Sequence, residues 1–485
     1  MGIIDLINYW MYLYILVALL VGVGLILTVV TKGVQFMHPK LLWQSVVRSG
    51  NKDNPEAANE KIDGISSFQA FTVGLASRVG VGNISGVALA LVAGGPGSLF
   101  WMWIVALVGM ASSFVESTLA QIFKEKDADG TFRGGPAYYI KNGLRLPKLG
   151  AFFAVLILFS VGICVVMVQS NTVADMVASS HQVPHWVTGL ILALLTAPVV
   201  IGGLKSVAKV TSWLAPIMAL VYVAAAIVVL VLNYREIPTV FSQIIGGAFG
   251  TNQAMAGIGG GILAAILNGT RRGVFSNEAG LGSVPNAAGT ATVAHPVRQG
   301  YIQAFGVFVD TILVCSATGF LIIMATNTYQ PGVDLSEQGA SLTQSALAEH
   351  LGTWTGWPME ILLLVLVFST VLGCYSYGQV NVDYLVEQAG GKADQHLVAR
   401  RLFAVVVTIA TFTGTVFPLP FVWSLADVAL GIGAIINLVV IVVLVPWVLD
   451  ALKDFYGQSK AGKDPIYHAI QRPNTRGEIP AGVWE

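Results

Sequence analysis

Charged side chains are scarce in this sequence: Asp, Glu, Lys and Arg make up 11% of its 485 residues, against about a quarter in soluble globular chains. That scarcity excludes the two or three water-soluble domains the length would otherwise suggest. With 55% hydrophobic residues, the chain reads as a polytopic membrane protein. Neither sign of charge is in surplus, since 26 Lys and Arg balance 26 Asp and Glu, so nothing points to nucleic acid as a partner. Cysteine is equally sparse. Cys164, Cys315 and Cys374 lie far apart in apolar stretches, which excludes a disulfide framework and a zinc site. No basic residue precedes Lys32, so "MGIIDLINYW" lacks the charged start of a cleaved leader, and the first apolar run is expected to remain as a span. "GGPGS" at Gly94–Ser98 lacks the Lys that a phosphate-binding loop requires, and no nucleophile with a base or pair of catalytic carboxylates is apparent. The chain is therefore expected not to be an enzyme and to carry no cofactor.

What is abundant is apolar sequence in runs near 20 residues, the length a helix needs to cross the hydrocarbon layer. Eleven spans are predicted, over about 10–31, 66–93, 99–123, 150–178, 186–204, 211–232, 255–284, 299–326, 358–388, 402–418 and 422–449. Alternate connections and the tail after the last span hold 22 Lys and Arg, while the opposite connections hold only Arg235. By the positive-inside rule the N-terminus is expected outside and the C-terminus in the cytoplasm of a plasma membrane, in a bacterium the inner membrane. The tail "KAGKDPIYHAIQRPNTRGEIPAGVWE" is polar and is expected to be flexible.

Two spans differ from the rest. The second, around "LASRVGVGNISGVALALVAGGPG", and the seventh, "GGGILAAILNGTRRGVFSNEAGLGS", carry Gly and polar residues where the bilayer offers no water to a freed peptide group. Each Gly costs about 1 kcal/mol of helix relative to Ala. A break at that depth is therefore expected to line a site. The seventh comes five spans after the second, so they cross in opposite directions, as in inverted-repeat transporters whose discontinuous helices meet near the midplane. Close helix packing by small residues is the alternative.

The stretches "SRVGVGNISGVALALVAGGPGSLFWMW", "FRGGPAYYI", "VQSNTVADM", "RRGVFSNEAGLGSVPNAAGTA" and "HPVRQG" resemble the alanine or glycine:cation symporter family, over about residues 66 to 450. The resemblance implies an all-α, leucine-transporter-like fold: 1–64 an additional N-terminal helix and loop, 65–232 and 255–449 two five-helix repeats joined by 233–254, and 450–485 a tail. It also implies inward sodium movement coupled to uptake of small neutral amino acids, with no partner beyond the bilayer and a monomer sufficient. "VGVGN" is also similar to the unwound first helix of neurotransmitter:sodium symporters, which places free amides near Val81 and Gly82 at the substrate carboxylate and the Asn83 side-chain oxygen toward sodium.

By the same resemblance Ser77, Gln169, Phe275, Asn277 and Cys374 join Val81 and Gly82 around the substrate. The carbonyls of Ala76 and Val79, with the hydroxyls of Ser369 and Thr370, form a sodium site. The alternative for both hydroxyls is a bond back to the preceding helical turn. Arg78, Glu116, Arg271, Arg272, Glu278 and Asp310 are costly in hydrocarbon and are expected to pair with one another; Arg78, Glu116, Arg272 and Glu278 are candidates for a gate, and Glu278 alternatively for a proton carrier. Many family members read "GWSYYGE" where Gly373–Gln379 reads "GCYSYGQ", so a Trp is replaced by Cys374, which either enlarges the pocket or is compensated by Tyr375. Proton coupling and an ion channel are the rival functions.

Overall fold

A computed structural model describes residues 2–37, 65–127, 130–250, 258–331, 339–469 and 477–484. Of the loop expected over 32–64, the residues from 38 on lie outside the described residues, as does the start of the seventh span at 255.

Among the described residues the fold is helical, with two two-stranded ladders. Eight helices are long and apolar enough to cross a membrane, and a bent pair makes a ninth. In chain order, α1 (Ile3–Val30) is followed by β1 (Ile65–Ser66) and the bent pair α2 (Ser67–Arg78) and α3 (Gly82–Gly94). Then come α4 (Gly97–Ile122), β2 (Glu125–Lys126), β3 (Phe132–Arg133), α5 (Pro136–Leu144), α6 (Pro147–His181), α7 (His185–Ile201) and α8 (Gly203–Leu232). The second half holds α9 (Ile237–Phe249), α10 (Ile258–Asn277), α11 (Pro285–Ala288), β4 (Ala291–Thr292), α12 (Pro296–Met324), α13 (Gly339–Leu351), α14 (Gly356–Gln388), α15 (Ala393–Gly414) and α16 (Leu419–Lys460).

Apolarity alone does not say which helices are central; burial does. α12 and α14 are largely enclosed, whereas α1 and α8 leave most of their surface outward, as lipid-facing helices do. α4 packs against both α10 and α12 and forms the spine of the interior. α2 begins with a reciprocal cap: the Ser66 hydroxyl accepts the Gln69 amide at 3.1 Å, and the Gln69 side chain accepts the Ser66 amide at 2.9 Å. β1 and β4 pair in parallel, Ile65 opposite Ala291 and Ser66 opposite Thr292, so the start of α2 is tied to the chain just past α11.

The connections 233–254 and 327–357 each contain a helix, α9 and α13. Two expectations are corrected. The seventh span does not break at its centre: α10 runs unbroken to Asn277, and the departure follows at Glu278, Gly280 and Gly282, all with positive φ, before the single turn of α11 beyond the expected end at 284. The described parts of the tail are docked rather than loose. Ala469 bonds Trp484 backbone to backbone at 3.0 Å, the Glu478 amide donates to the Asn142 carbonyl at 3.0 Å, and the Trp484 indole donates to the Gln121 carbonyl at 3.2 Å.

Candidate substrate and cation site

The bend between α2 and α3 is 46°, and Val79 takes extended backbone (φ −78°, ψ 92°) where the helix ends. Glycine is required here by close approach. A Cβ on Gly80 would lie 2.4 Å from the Thr370 hydroxyl, and one on Gly82 only 3.1 Å from the Ser276 Cα. The unwound stretch is thereby pressed between α10 and α14.

A narrow cavity, with room for about one water, lies beside it. Its polar wall is Ser77, Arg78, Gly82, Gln169, Glu278 and Ser283, and its apolar wall Val161, Val165, Phe275, Leu281 and Leu430. Ser77, Gly82, Gln169 and Phe275, expected at the substrate, thus come together. Val81 reaches the wall indirectly, since its amide donates to the Gln169 side-chain oxygen at 3.0 Å instead of standing free. Asn277 and Cys374 stand behind the wall. The Asn277 side-chain oxygen accepts the Ala279 amide at 2.9 Å, and the Cys374 thiol lies 3.9 Å from the Ser77 hydroxyl.

Of the expected sodium ligands, Thr370 and Ala76 meet. The Thr370 hydroxyl lies 2.9 Å from the Ala76 carbonyl and 3.0 Å from the Leu366 carbonyl one turn back, and the Ser369 hydroxyl bonds back to Leu366 at 2.9 Å. Ser369 thus shows the back-bonded alternative, and Thr370 links α14 to the end of α2. Asn83 turns its side-chain oxygen to the Gly80 amide at 2.9 Å. Its nitrogen donates to Asp310 at 2.6 Å, and that carboxylate also accepts from Ser276 at 2.9 Å and Thr311 at 2.8 Å.

The intramembrane charges do not pair as expected. Arg78 is held by neutral oxygens: the Asn277 carbonyl at 2.9 Å, the Gln303 carbonyl at 3.0 Å and side chain at 3.3 Å, and the Ser113 hydroxyl at 3.0 Å. Glu116 accepts the amides of Gly280 at 3.2 Å and Gly282 at 3.3 Å, together with the Asn437 side chain at 2.8 Å. Its carboxylate therefore supplies the partners that the second break loses. Glu278 bridges the two broken segments, accepting from Ser77 at 2.6 Å and from Ser283. Arg271 and Arg272 both face Asp427 on α16, Arg271 in direct contact and Arg272 at 3.5 Å, and Arg272 also lies 4.2 Å over the Trp423 ring.

Asp427 and Asn437 were missed by sequence reasoning, although each interrupts an apolar run and so carried a signal. Asp310 was singled out there as a costly charge, while Ser276 and Cys315, which complete its cluster, look like ordinary small helical residues.

The family model for the sodium:alanine symporter family matches residues 1–469. The chain belongs to the sodium:alanine symporter family. It is 41% identical to the probable sodium/glutamine symporter GlnT of Bacillus subtilis, covering 98% of this chain and 95% of that one. It is 38% identical to the sodium/alanine symporter AgcS of Methanococcus maripaludis, covering 94% and 97%. Among solved structures it is similar to the crystal structure of MhsT in complex with L-phenylalanine, with a TM-score of 0.56 at 15% identity over 79% of this chain and 90% of that one. At that identity the similarity concerns the fold alone. Membership supports amino-acid symport, and makes the symporter a membrane transporter rather than an enzyme.

Proposed function

We propose that this chain carries small neutral amino acids, of the alanine and glycine class, inward with sodium by alternating access. One observation carries this: two glycine-rich segments, far apart in sequence, leave the helix beside a single enclosed cavity lined by Gln169, Phe275 and Glu278. The amino acid occupies that cavity once its walls, now closed on about the volume of a water, move apart, with its carboxylate toward the Val81 and Gly82 amides after Gln169 releases Val81. Ser77 and Phe275 bound it, while Asn277 and Cys374 set the wall from behind. Sodium sits between the Ala76 and Val79 carbonyls and the Ser369 and Thr370 hydroxyls, and Asn83 orders the unwound stretch beside it. Neutral oxygens suit sodium without burying a second fixed charge. Arg78, Glu116, Arg272 and Glu278 open and close the way to the site.

Eleven spans in a five-plus-five inverted repeat, with α1 in front, fit the nine long or bent spans together with α7 and α10, which are short or polar but lie in the same bundle. The repeats are 65–232 and 255–449, and one chain suffices for transport. The N-terminus lies outside, as the Lys and Arg distribution requires. The names of the relatives above, sodium/glutamine and sodium/alanine symporters, support a neutral substrate.

Proton coupling is the second reading, favoured by a carboxylate, Glu278, in the cavity wall and by 38% identity to a relative in Bacillus subtilis named as a putative sodium/proton-dependent alanine carrier protein. Purified protein in liposomes separates them. Labelled alanine is expected to accumulate only with an inward sodium gradient; accumulation that is unchanged without sodium and follows an imposed proton gradient overturns the sodium assignment. Saturating uptake also distinguishes a carrier from a channel, which would pass current without amino acid.

A further inference from the structure

A second, larger cavity of about 270 Å³ opens at the end of the bundle where Lys and Arg concentrate, between β1, β3, the α7–α8 turn, α14 and α15. Its walls carry four cations and, among the described residues, no carboxylate lines it. Arg133 and Arg400 are held in place from behind. Arg133 meets Asp383 at 2.8 Å and Asp127 at 3.2 Å, and Arg400 meets the same two carboxylates at 2.5 and 2.9 Å. Lys205 and Arg401, both exposed, add two positive charges at the rim.

The rim is also greasy. Ile201 is 60% exposed and Leu397 50%, and each continues an outward apolar stripe: Leu194 and Leu195 on α7, and Leu402, Val405 and Ile409 on α15. Outward apolar stripes of this kind suit contact with lipid, which puts the mouth of the cavity between an apolar surface and the basic end of the protein. Deep in the cavity wall, Gln379 is 3% exposed and its side-chain oxygen has no hydrogen-bond partner. A buried acceptor of that kind is costly unless a donor reaches it.

We infer that this cavity is a binding site for an anionic phospholipid whose headgroup carries hydroxyls, phosphatidylglycerol being the simplest. The phosphodiester sits between Lys205 and Arg401 with Arg400 behind it. One acyl chain lies along the apolar stripe of α15 past Leu397, and a headgroup hydroxyl donates to Gln379. A zwitterionic choline headgroup would place its own cation beside Lys205 and Arg401 and offers no hydroxyl. Inorganic phosphate satisfies the cations but leaves the apolar rim uncovered. Basic pockets between membrane helices are known to take acidic headgroups, and each Lys or Arg near such a surface changes retention about fivefold.

The experiment is native mass spectrometry of the full chain released from vesicles of phosphatidylcholine with phosphatidylglycerol. Phosphatidylglycerol is expected to stay bound where phosphatidylcholine does not. Lys205→Ala with Arg401→Ala is expected to lower that retention by about 25-fold, while Lys148→Ala, an exposed cation outside the cavity, leaves it unchanged. Gln379→Leu, which removes the acceptor and keeps the cations, is expected to lower the preference over phosphatidic acid, which lacks the hydroxyls. Equal retention of both lipids, an undiminished signal in the double variant, or an equal drop in Lys148→Ala overturns the proposal. Displacement by inorganic phosphate alone does so too, in favour of a free-phosphate site. A thermal midpoint measured on each variant separates lost binding from lost fold. Sodium-driven alanine uptake is a separate readout, so a failure here leaves the transport proposal standing.

Discussion

At the scale of single residues, the interior of this protein is governed by the cost of burying charge. Asp427 is fully buried and faces two arginines, of which Arg272 is itself 8% exposed. Removing it leaves one buried and one half-buried cation without that counter-charge, a change that costs about 3–5 kcal/mol. Asp427→Ala is therefore expected to lower the thermal midpoint of the detergent-solubilised protein sharply, whereas Asp427→Asn, which keeps an oxygen toward Arg271, recovers part of the loss. Thr370 offers a different test. Its hydroxyl is the contact between α14 and the Ala76 carbonyl at the proposed sodium site. Thr370→Val keeps shape and removes the oxygen, and a lost ligand oxygen of about 1.4 kcal/mol is tenfold in affinity. The sodium concentration for half-maximal uptake is expected to rise about tenfold with the alanine KM at saturating sodium little changed; an unaltered sodium dependence removes Thr370 from the site. Cys374→Trp, which places an indole behind Ser77, is expected to exclude serine and glutamine from competition with alanine while glycine still competes.

Among elements, the two breaks are supported in unlike ways. The α2–α3 bend is filled by side chains of its own stretch and of α6, through Asn83 and Gln169, whereas the end of α10 depends on Glu116 from α4. Glu116→Ala leaves the Gly280 and Gly282 amides and the Asn437 amide group without that acceptor, each worth about 1–3 kcal/mol when buried. The expected outcome is a loss of several kcal/mol in denaturation and faster amide exchange confined to residues 278–283; protection that is unchanged there excludes the support.

The joint at His295 gives a pH dependence. Burial holds this imidazole down at about 4, and its neutral form fits the geometry, with Nδ1 accepting the Val297 amide at 3.2 Å and Nε2 donating to Asp454 at 3.2 Å. In the unfolded chain it takes up a proton near pH 6.5. The stability from a neutral His295 is thus complete above that value and is lost as pH falls from 6.5 toward 4, the unfolded state binding more protons in that window. His295→Asn is expected to flatten the fall of thermal midpoint over the same range.

Sequence made most of this element list legible, because an apolar run of spanning length is too costly to leave in water and too long for most soluble cores. α9 and α13 escaped because they are short and lie in connections where Gly, Pro and polar residues read as loop. The position of the second break escaped through its dependence on distant chain. "FSNEAGLGS" marks a stretch that leaves the helix, but whether it leaves at its middle or its end depends on which amides find partners, and Glu116 lies about 160 residues away along the chain, as its contact with Gly280 shows. The same holds for the charges: residue types announced that they must be satisfied, and only packing decided that Arg78 would take carbonyls and hydroxyls while Arg271 took Asp427.

Over the whole molecule, the proposed transport has the two sides of the bundle open in turn and draws its energy from the ion. One sodium moving inward offers about 2.3 kcal/mol per 100 mV and about 1.4 kcal/mol for each tenfold concentration ratio. Together these sustain a solute gradient of a few hundredfold for one ion per cycle. Raising external potassium with valinomycin, to collapse the potential, is expected to reduce alanine accumulation by the larger share, and an unaffected level would exclude net charge movement with the substrate.

The two rungs between Ile65–Ser66 and Ala291–Thr292 are the smallest sheet a protein can have, yet they hitch the foot of one interrupted segment to the far end of the other. Whatever pulls the first aside must drag the second along or unzip the pair, so under the proposed alternating access the doorway at that end turns on one shared latch, with both of its leaves hung from the same pin.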